Sequence, residues 1–478
     1  MPKFLIGMLN RGSKFYLLSF MMFSIVFNQT CLRILKDSVI ISEIGPEAVA
    51  FIKIFFVLPV VALFLSFYNK LTKILSYANI YFYIIFTFVI VIGFFAFVFY
   101  PNAHFFQKSP EVINSIVSQN PYYFKWFIKI GLNWGYVCFY VLAEMWPDVF
   151  YTILFWTLLN HIYSTKEAMK SYSFISLIGN TAIIVASLIL KQLTKTFNND
   201  KLVLVKFGIA IIIFFAIVNC IIITIIFRSK EVYKLKLIYQ VDEEDKAKKK
   251  KVGFSESLSC IANSRYLIFI TLFSLSFYCC FTLTEFVWRK QISELQSSFS
   301  GIAQFLSFCN LYNGITCVLV NALLNTLLRY FGILSLIKAV PIVVIVASGI
   351  FFTFTQQTFL NQYFPNHVIP YSILYLSVIL GAVQNITAKA TKYSIWDLTK
   401  EILYIPLGKH EKTIGKASVD LISSKVGKSI ASLIPIIVLT FSKTKVTEII
   451  IYVFVLISIT WLISTKFLCK EYTNKLNF

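Results

Sequence analysis

The sequence predicts an all-α polytopic membrane protein with twelve transmembrane helices arranged as two six-helix pseudo-repeats, and three observations carry that prediction. First, 58% of the residues are hydrophobic, only 14% are charged, and the mean hydropathy is +0.76, outside the range of a soluble domain. Second, apolar runs of roughly twenty residues, the length that crosses a hydrocarbon core, recur along all 478 residues. Third, the chain matches itself at an offset near 250. Tyr16-Leu17 falls on Tyr266-Leu267, Phe23-Ser24 on Phe273-Ser274 and Phe27 on Phe277. The stretch from Ser176 to Thr181 aligns with Ser424 to Ser429, which pairs Gly179 with Gly427 and Asn180 with Lys428. Duplicated membrane folds with charges at repeat-related positions are the plan of secondary transporters.

In chain order, charges, prolines and polar clusters bound the spans. The first, 15–35, stops at Lys36-Asp37. The second, 47–69, follows Gly45-Pro46 and is interrupted by Lys53. The third, 78–100, closes at Pro101. The polar stretch 122–134 is interfacial or extends the fourth span, 135–160, which contains Glu144. The fifth and sixth, 170–194 and 202–227, complete a first half over residues 1–227. A hydrophilic linker, 228–264, carries Asp242-Glu243-Glu244-Asp245 and then Lys248 to Lys251, and reads as a solvated cytoplasmic segment. A second half, 265–478, holds spans at 265–288, 302–328, 333–355, 368–392, 416–441 and 446–468.

The first run is too long for a cleavable signal sequence and lacks its small-residue site, so it is expected to remain a helix. The nine cysteines lie mostly inside apolar runs without regular spacing and read as packing residues, and four scattered histidines offer no metal site. With the N-terminus inside, 27 of the 44 lysines and arginines fall on the cytoplasmic side and 12 opposite, leaving five in or at the ends of spans. That bias places both termini in the cytoplasm. The net charge of +22 is therefore a topology signal, and nucleic-acid binding is excluded because no soluble surface interleaves aromatic with basic residues. Two halves in one orientation imply parallel repeats and a major-facilitator-like plan. By that analogy helices 1, 4, 7 and 10 line a central cavity, and helices 2, 5, 8 and 11 sit between the halves.

Charges inside spans cost at least roughly 2.5–3.5 kcal/mol each, so each needs a partner or a ligand. The candidates are Lys36, Lys53, Glu144, Glu285, Lys416, Lys425 and Lys428. Lys53 and Lys425 can also snorkel to an interface. Lysines outnumber carboxylates here, which points to an anionic substrate, with phosphates the obvious class. Gly427-Lys428-Ser429 suggests a phosphate loop, but Ile422 stands where that motif needs glycine, so a nucleotide-hydrolysing pump is excluded.

Several segments resemble the ATP/ADP translocase family, the nucleotide transport proteins of obligate intracellular bacteria and plastids. They are Asn28 to Asp37, Phe51 to Pro59, Val141 to Trp146, Leu154 to Trp156, Lys392 to Glu401, Tyr404 to Leu407, Gly415 to Asp420, and Gly427 to Ser429. The resemblance implies exchange of ATP for ADP without hydrolysis, and places that family's essential charges at Lys36, Glu144, Glu285 and either Lys416 or Lys428. Three positions depart from the family pattern: Ile430-Ala431 after Ser429, Pro147 after Trp146, and the basic stretch Lys409 to Lys412. These bear on base specificity.

The expectation is thus a nucleotide antiporter of a bacterial inner membrane, not an enzyme, with no cofactor and no metal. Its substrate-binding candidates are Lys36, Lys53, Glu144, Asn180, Glu285, Lys416 and Lys428. Its partners are ATP, ADP and membrane lipid, and a monomer is expected. The rival readings are a carrier of other nucleoside triphosphates, a proton-coupled carrier of another organic anion, and a non-transporting membrane scaffold or chaperone.

Overall fold

Inside a membrane every backbone donor must be satisfied within its own segment, which leaves helices as the solution for this composition. The structure, a computed structural model, describes residues 13–72, 74–162, 165–197, 200–228, 259, 261–356, 372–404, 406–407, 419, 423, 427–442 and 445–476. Among these there are helices and no strand. Lys416, Lys425 and nearly all of the linker 228–264 lie outside the described residues.

Six long helices precede the linker: α1 (Ser13–Glu43), α2 (Ala48–Tyr68), α3 (Tyr77–Phe99), α4 (Trp134–Leu159), α5 (Thr165–Thr196) and α6 (Lys201–Arg228). After it come α7 (Arg265–Leu295), α8 (Phe299–Leu324), α9 (Thr326–Thr355), α10 (Ile373–Leu403), the shorter α11 (Gly427–Phe441) and α12 (Val446–Leu476). Eleven are long and apolar enough to cross a membrane by themselves. The eleventh expected span, 416–441, is described as a helix only from Gly427. The helical run through α8 and α9 breaks at Gly332, whose φ of +70° favours a residue without a Cβ. The polar stretch 122–134 holds a short helix, Lys125–Leu132, preceded by another, Pro110–Gln119.

Three helices outrun their apolar stretches. α1 continues eight residues past 35, α7 seven past 288 and α10 eleven past 392. Hydropathy closes a span at its first charges, but a helix continues wherever those charges face protein instead of lipid.

Packing follows the internal repeat. Phe23 and Phe27 of α1 both meet Phe215 of α6, at 6.3 and 4.4 Å between ring centroids. Phe273 and Phe277 of α7 both meet Trp461 of α12, at 5.6 and 5.8 Å. The second sequence match also falls at helix contacts. A Cβ on Gly179 would stand 2.8 Å from Met22 of α1, and one on Gly427 would stand 3.6 Å from the Leu275 backbone of α7. Glycine at 179 lets α5 lie close on α1, whereas at 427 a Cβ would find ordinary van der Waals room against α7. Buried amides and indoles add directional ties. Asn28 donates to the Ile212 carbonyl at 2.9 Å, Trp146 to Ile25 at 3.2 Å and Trp288 to Val378 at 3.0 Å.

The two sets of helices meet along α5–α8 and α2–α11. At the first contact, a Cβ on Gly314 of α8 would come within 2.9 Å of Ile184. Four of these helices carry π-helical turns among the described residues: Lys53–Val57 in α2, Phe95–Phe99 in α3, Pro147–Phe155 in α4 and Thr391–Trp396 in α10. Pro147 lacks the amide hydrogen that an α-turn would use, and there the helix widens. Such bulges gather at functional sites, and three of these four lie at or beside intramembrane charges.

Candidate functional site

Six charged side chains from α1, α2, α4 and α7 form one buried network. Lys36 of α1 lies 2.7 Å from Glu144 of α4 and 2.9 Å from Asp37. Its ammonium also stands 4.0 Å over the Tyr140 ring. Asp37 continues to Arg289 of α7 at 3.3 Å, and Arg289 reaches Glu285 one turn back at 3.2 Å. Glu285 is 3.9 Å from Lys53, the first residue of the α2 π-turn. Three cations face three carboxylates, so the network balances itself. Asp37–Arg289 and Lys53–Glu285 are its two links between the first six helices and the last six.

The network occupies one level of the bundle. Lys36 lies seven residues before the end of α1 and Arg289 six before the end of α7, about 10 Å along each axis. Lys53 lies five residues into α2. The layer therefore sits at the end of the bundle opposite the start of α1. Lys36 is 4% exposed, whereas Glu144 is 30% exposed, so the carboxylate faces open space and the lysine does not.

A second set of cations stands nearby without carboxylate partners. Arg33, one turn before Lys36, and Lys389 of α10 make no ion pair among the described residues. Arg33 nonetheless acts electrostatically on Lys389, as do Glu285, Arg289 and Asp37. The Lys389 ammonium lies 6.0 Å from the Phe281 ring of α7. One turn back on the same face, Asn385 is buried and its amide nitrogen has no acceptor among the described residues. Lys428 at the start of α11 stands 5.5 Å from the Tyr278 ring, and Glu144 and Asp148 are the opposite charges that act on it. Lys392 shares the Tyr278 ring at 6.0 Å and is held by Asp397 at 3.1 Å.

Of the residues singled out from sequence, the structure brings Lys36, Lys53, Glu144 and Glu285 into one network and sets Lys428 beside it. Asn180 on α5 is not drawn in, and Lys416 lies outside the described residues. Sequence reasoning missed Asp37 and Arg289 as links, and Arg33 and Lys389 as unpaired cations. All four lie at the ends of apolar runs, where a charge reads as interfacial. Among the described residues no cluster of His, Cys, Asp and Glu could hold a metal.

A donor-rich site of this kind, three balanced pairs beside cations without counter-charges, suits a polyanion. The comparisons with known proteins bear on which one. The family model described as TLC ATP/ADP transporter matches residues 8–472. The chain is 35% identical over 475 residues to ADP,ATP carrier protein 5 of Rickettsia prowazekii, covering 96% of this chain and 94% of that one. It is 31% identical over 481 residues to ADP,ATP carrier protein 3 of Rickettsia typhi, covering 95% and 93%. Among solved structures, a bacterial homologue of the iron transporter ferroportin in an inward-facing state superposes with a TM-score of 0.58 at 12% identity, covering 95% of this chain and all of that one. At that identity the likeness is one of fold alone.

Proposed function

Since this chain belongs to the ATP/ADP transporter family, we propose that it exchanges ATP for ADP across a bacterial inner membrane by alternating access. Residues 1–227 and 265–478 then act as two six-helix repeats, joined by the linker 228–264, with both termini in the cytoplasm. The observation that carries the reading is the pair of links Asp37–Arg289 and Lys53–Glu285. They clamp the two helix sets together at one end of the bundle, so that end opens only when both links part.

The chemistry of the site supplies a reason for those links to part. A nucleoside di- or triphosphate brings several negative charges into a region where Arg33, Lys389 and Lys428 lack carboxylate partners among the described residues. Lysine and arginine both suit phosphate, arginine in a bidentate fork and lysine as a point charge. In this reading Lys36 and Lys53 are held by carboxylates in the state described here. They pass to substrate phosphate as the halves rock, while Glu144 and Glu285 are freed. Substrate phosphates and gate carboxylates therefore compete for the same lysines. An empty carrier must move its unpaired cations through an occluded, low-dielectric state, which is costly. A loaded carrier moves them neutralised. Strict counter-exchange follows from that difference, and no hydrolysis step is needed.

The test is uptake of labelled ATP by vesicles containing the purified protein. Uptake is expected when ADP or ATP is inside and is unaffected by collapsing the proton gradient. Rapid uptake into nucleotide-free vesicles, or abolition by an uncoupler, would replace this reading with a uniporter or a proton-coupled carrier of the same fold.

A further inference from the structure

Far from the ion network, α9 and α12 leave a groove between them on the outside of the bundle. At one end is a cavity of about 430 Å³ into which three lysines converge: Lys338, six residues past the Gly332 break in α9, and Lys466 and Lys470 from the last third of α12. All three are exposed and make no ion pair among the described residues. Its lining also includes Thr465 and Thr473, which add hydroxyl groups, and no carboxylate. Leu462 lines this cavity and also the next, of about 660 Å³, which continues between the same two helices past Ile345, Gly349, Phe352 and Val455. The groove thus passes from a cationic mouth to an apolar trough.

Its dimensions match one leaflet. Gly349 lies eleven residues beyond Lys338, about 16 Å along α9, and half of a hydrocarbon core is about 15 Å. A Cβ at Gly349 would meet nothing within 4 Å, so the missing side chain leaves the trough open at the depth where an acyl chain ends. The one carboxylate in the trough, Glu448, is eighteen residues from Lys466 along α12, roughly 27 Å away. That is beyond the distance at which it could neutralise the lysines.

We propose that this groove is a binding site for an anionic phospholipid, its phosphate on Lys338, Lys466 and Lys470 and one acyl chain along α9 and α12 as far as Gly349. Lysines at helix ends snorkel to headgroups in many membrane proteins. What distinguishes these three is convergence on one cavity that opens into an apolar trough of acyl length. Basic pockets between helices on the cytoplasmic side bind anionic headgroups. The site touches no member of the ion network, and lipid binding is read without transport.

The purified full chain in neutral detergent would be titrated with phosphatidylglycerol, with phosphatidylcholine of the same acyl chains, and with inorganic phosphate, and bound lipid counted by native mass spectrometry. Phosphatidylglycerol should be retained in preference to phosphatidylcholine. Its affinity should fall roughly fivefold per lysine removed, and on the order of a hundredfold in the triple variant Lys338→Gln, Lys466→Gln, Lys470→Gln. Gly349→Leu leaves the lysines intact and should also weaken retention by filling the trough. Equal retention by the wild type and the triple variant would overturn the proposal. So would displacement of the lipid by inorganic phosphate, which would make the mouth a free-anion site, or an undiminished affinity in Gly349→Leu.

Discussion

Asp37 accepts from Lys36 at 2.9 Å and from Arg289 at 3.3 Å, and so joins the Lys36–Glu144 pair of the first six helices to α7. Replacing it with asparagine keeps the shape and removes the charge. Two unit charges about 3.3 Å apart interact by about 5 kcal/mol at an effective dielectric of 20, before desolvation is subtracted. Arg289 retains Glu285 at 3.2 Å and Lys36 retains Glu144 at 2.7 Å, so neither cation is stranded. The net coupling should therefore lie toward the low end of the range for close buried charge pairs, about 2 kcal/mol. That corresponds to roughly a thirtyfold shift from the state clamped at this end toward the state open there. A double-mutant cycle of Asp37→Asn and Arg289→Gln isolates the term. Populations of the two states would be read from distances between spin labels at positions 42 and 297, at the mouth of that end, in a protein freed of its native cysteines. Each single variant should shift the population, and the double variant should add little to either. If the two effects simply add, to within about 0.5 kcal/mol, the pair is not a gate and the clamping argument fails.

Three further outcomes follow from the same geometry. Arg33→Gln and Lys389→Gln should each weaken ADP and ATP by about 1.5–3 kcal/mol, the worth of a hydrogen bond to a charged group, while adenosine is hardly affected; competition of labelled ATP binding by ADP and by adenosine measures the difference, and an equal loss for both would remove these cations from the phosphate site. Glu144→Gln and Glu285→Gln should abolish exchange while the protein still inserts and purifies in normal yield, because each removes a carboxylate from the gate and not from the packing; a parallel loss of membrane-inserted protein would assign these carboxylates to assembly. Reporter fusions at Phe478 and within residues 240–250 should both read as cytoplasmic, and an outside signal at either would break the two-halves topology.

Much of this architecture is written locally. A charge in an apolar run is expensive enough to be conspicuous, which is why Lys36, Lys53, Glu144 and Glu285 stand out in the sequence and are found together in one network. Gly179 is legible for a similar reason: close helix approach leaves room there for little else. The repeat offset, the helix boundaries set by turns and the break near Gly332 all depend on neighbours in sequence. Tertiary structure alone decided the partners. Whether Lys36 meets a carboxylate or a ligand depends on how α1 and α4 are rotated about their axes, and no run of residues encodes that rotation. The same holds for Asp37 and Arg289, and for Arg33 and Lys389. Hydropathy ends their helices too early because it scores a charge by its cost in lipid, whereas these charges face other helices. The groove between α9 and α12 is equally a product of assembly, since Lys338 and Lys470 are more than a hundred residues apart in the chain and meet only because the two helices pack side by side.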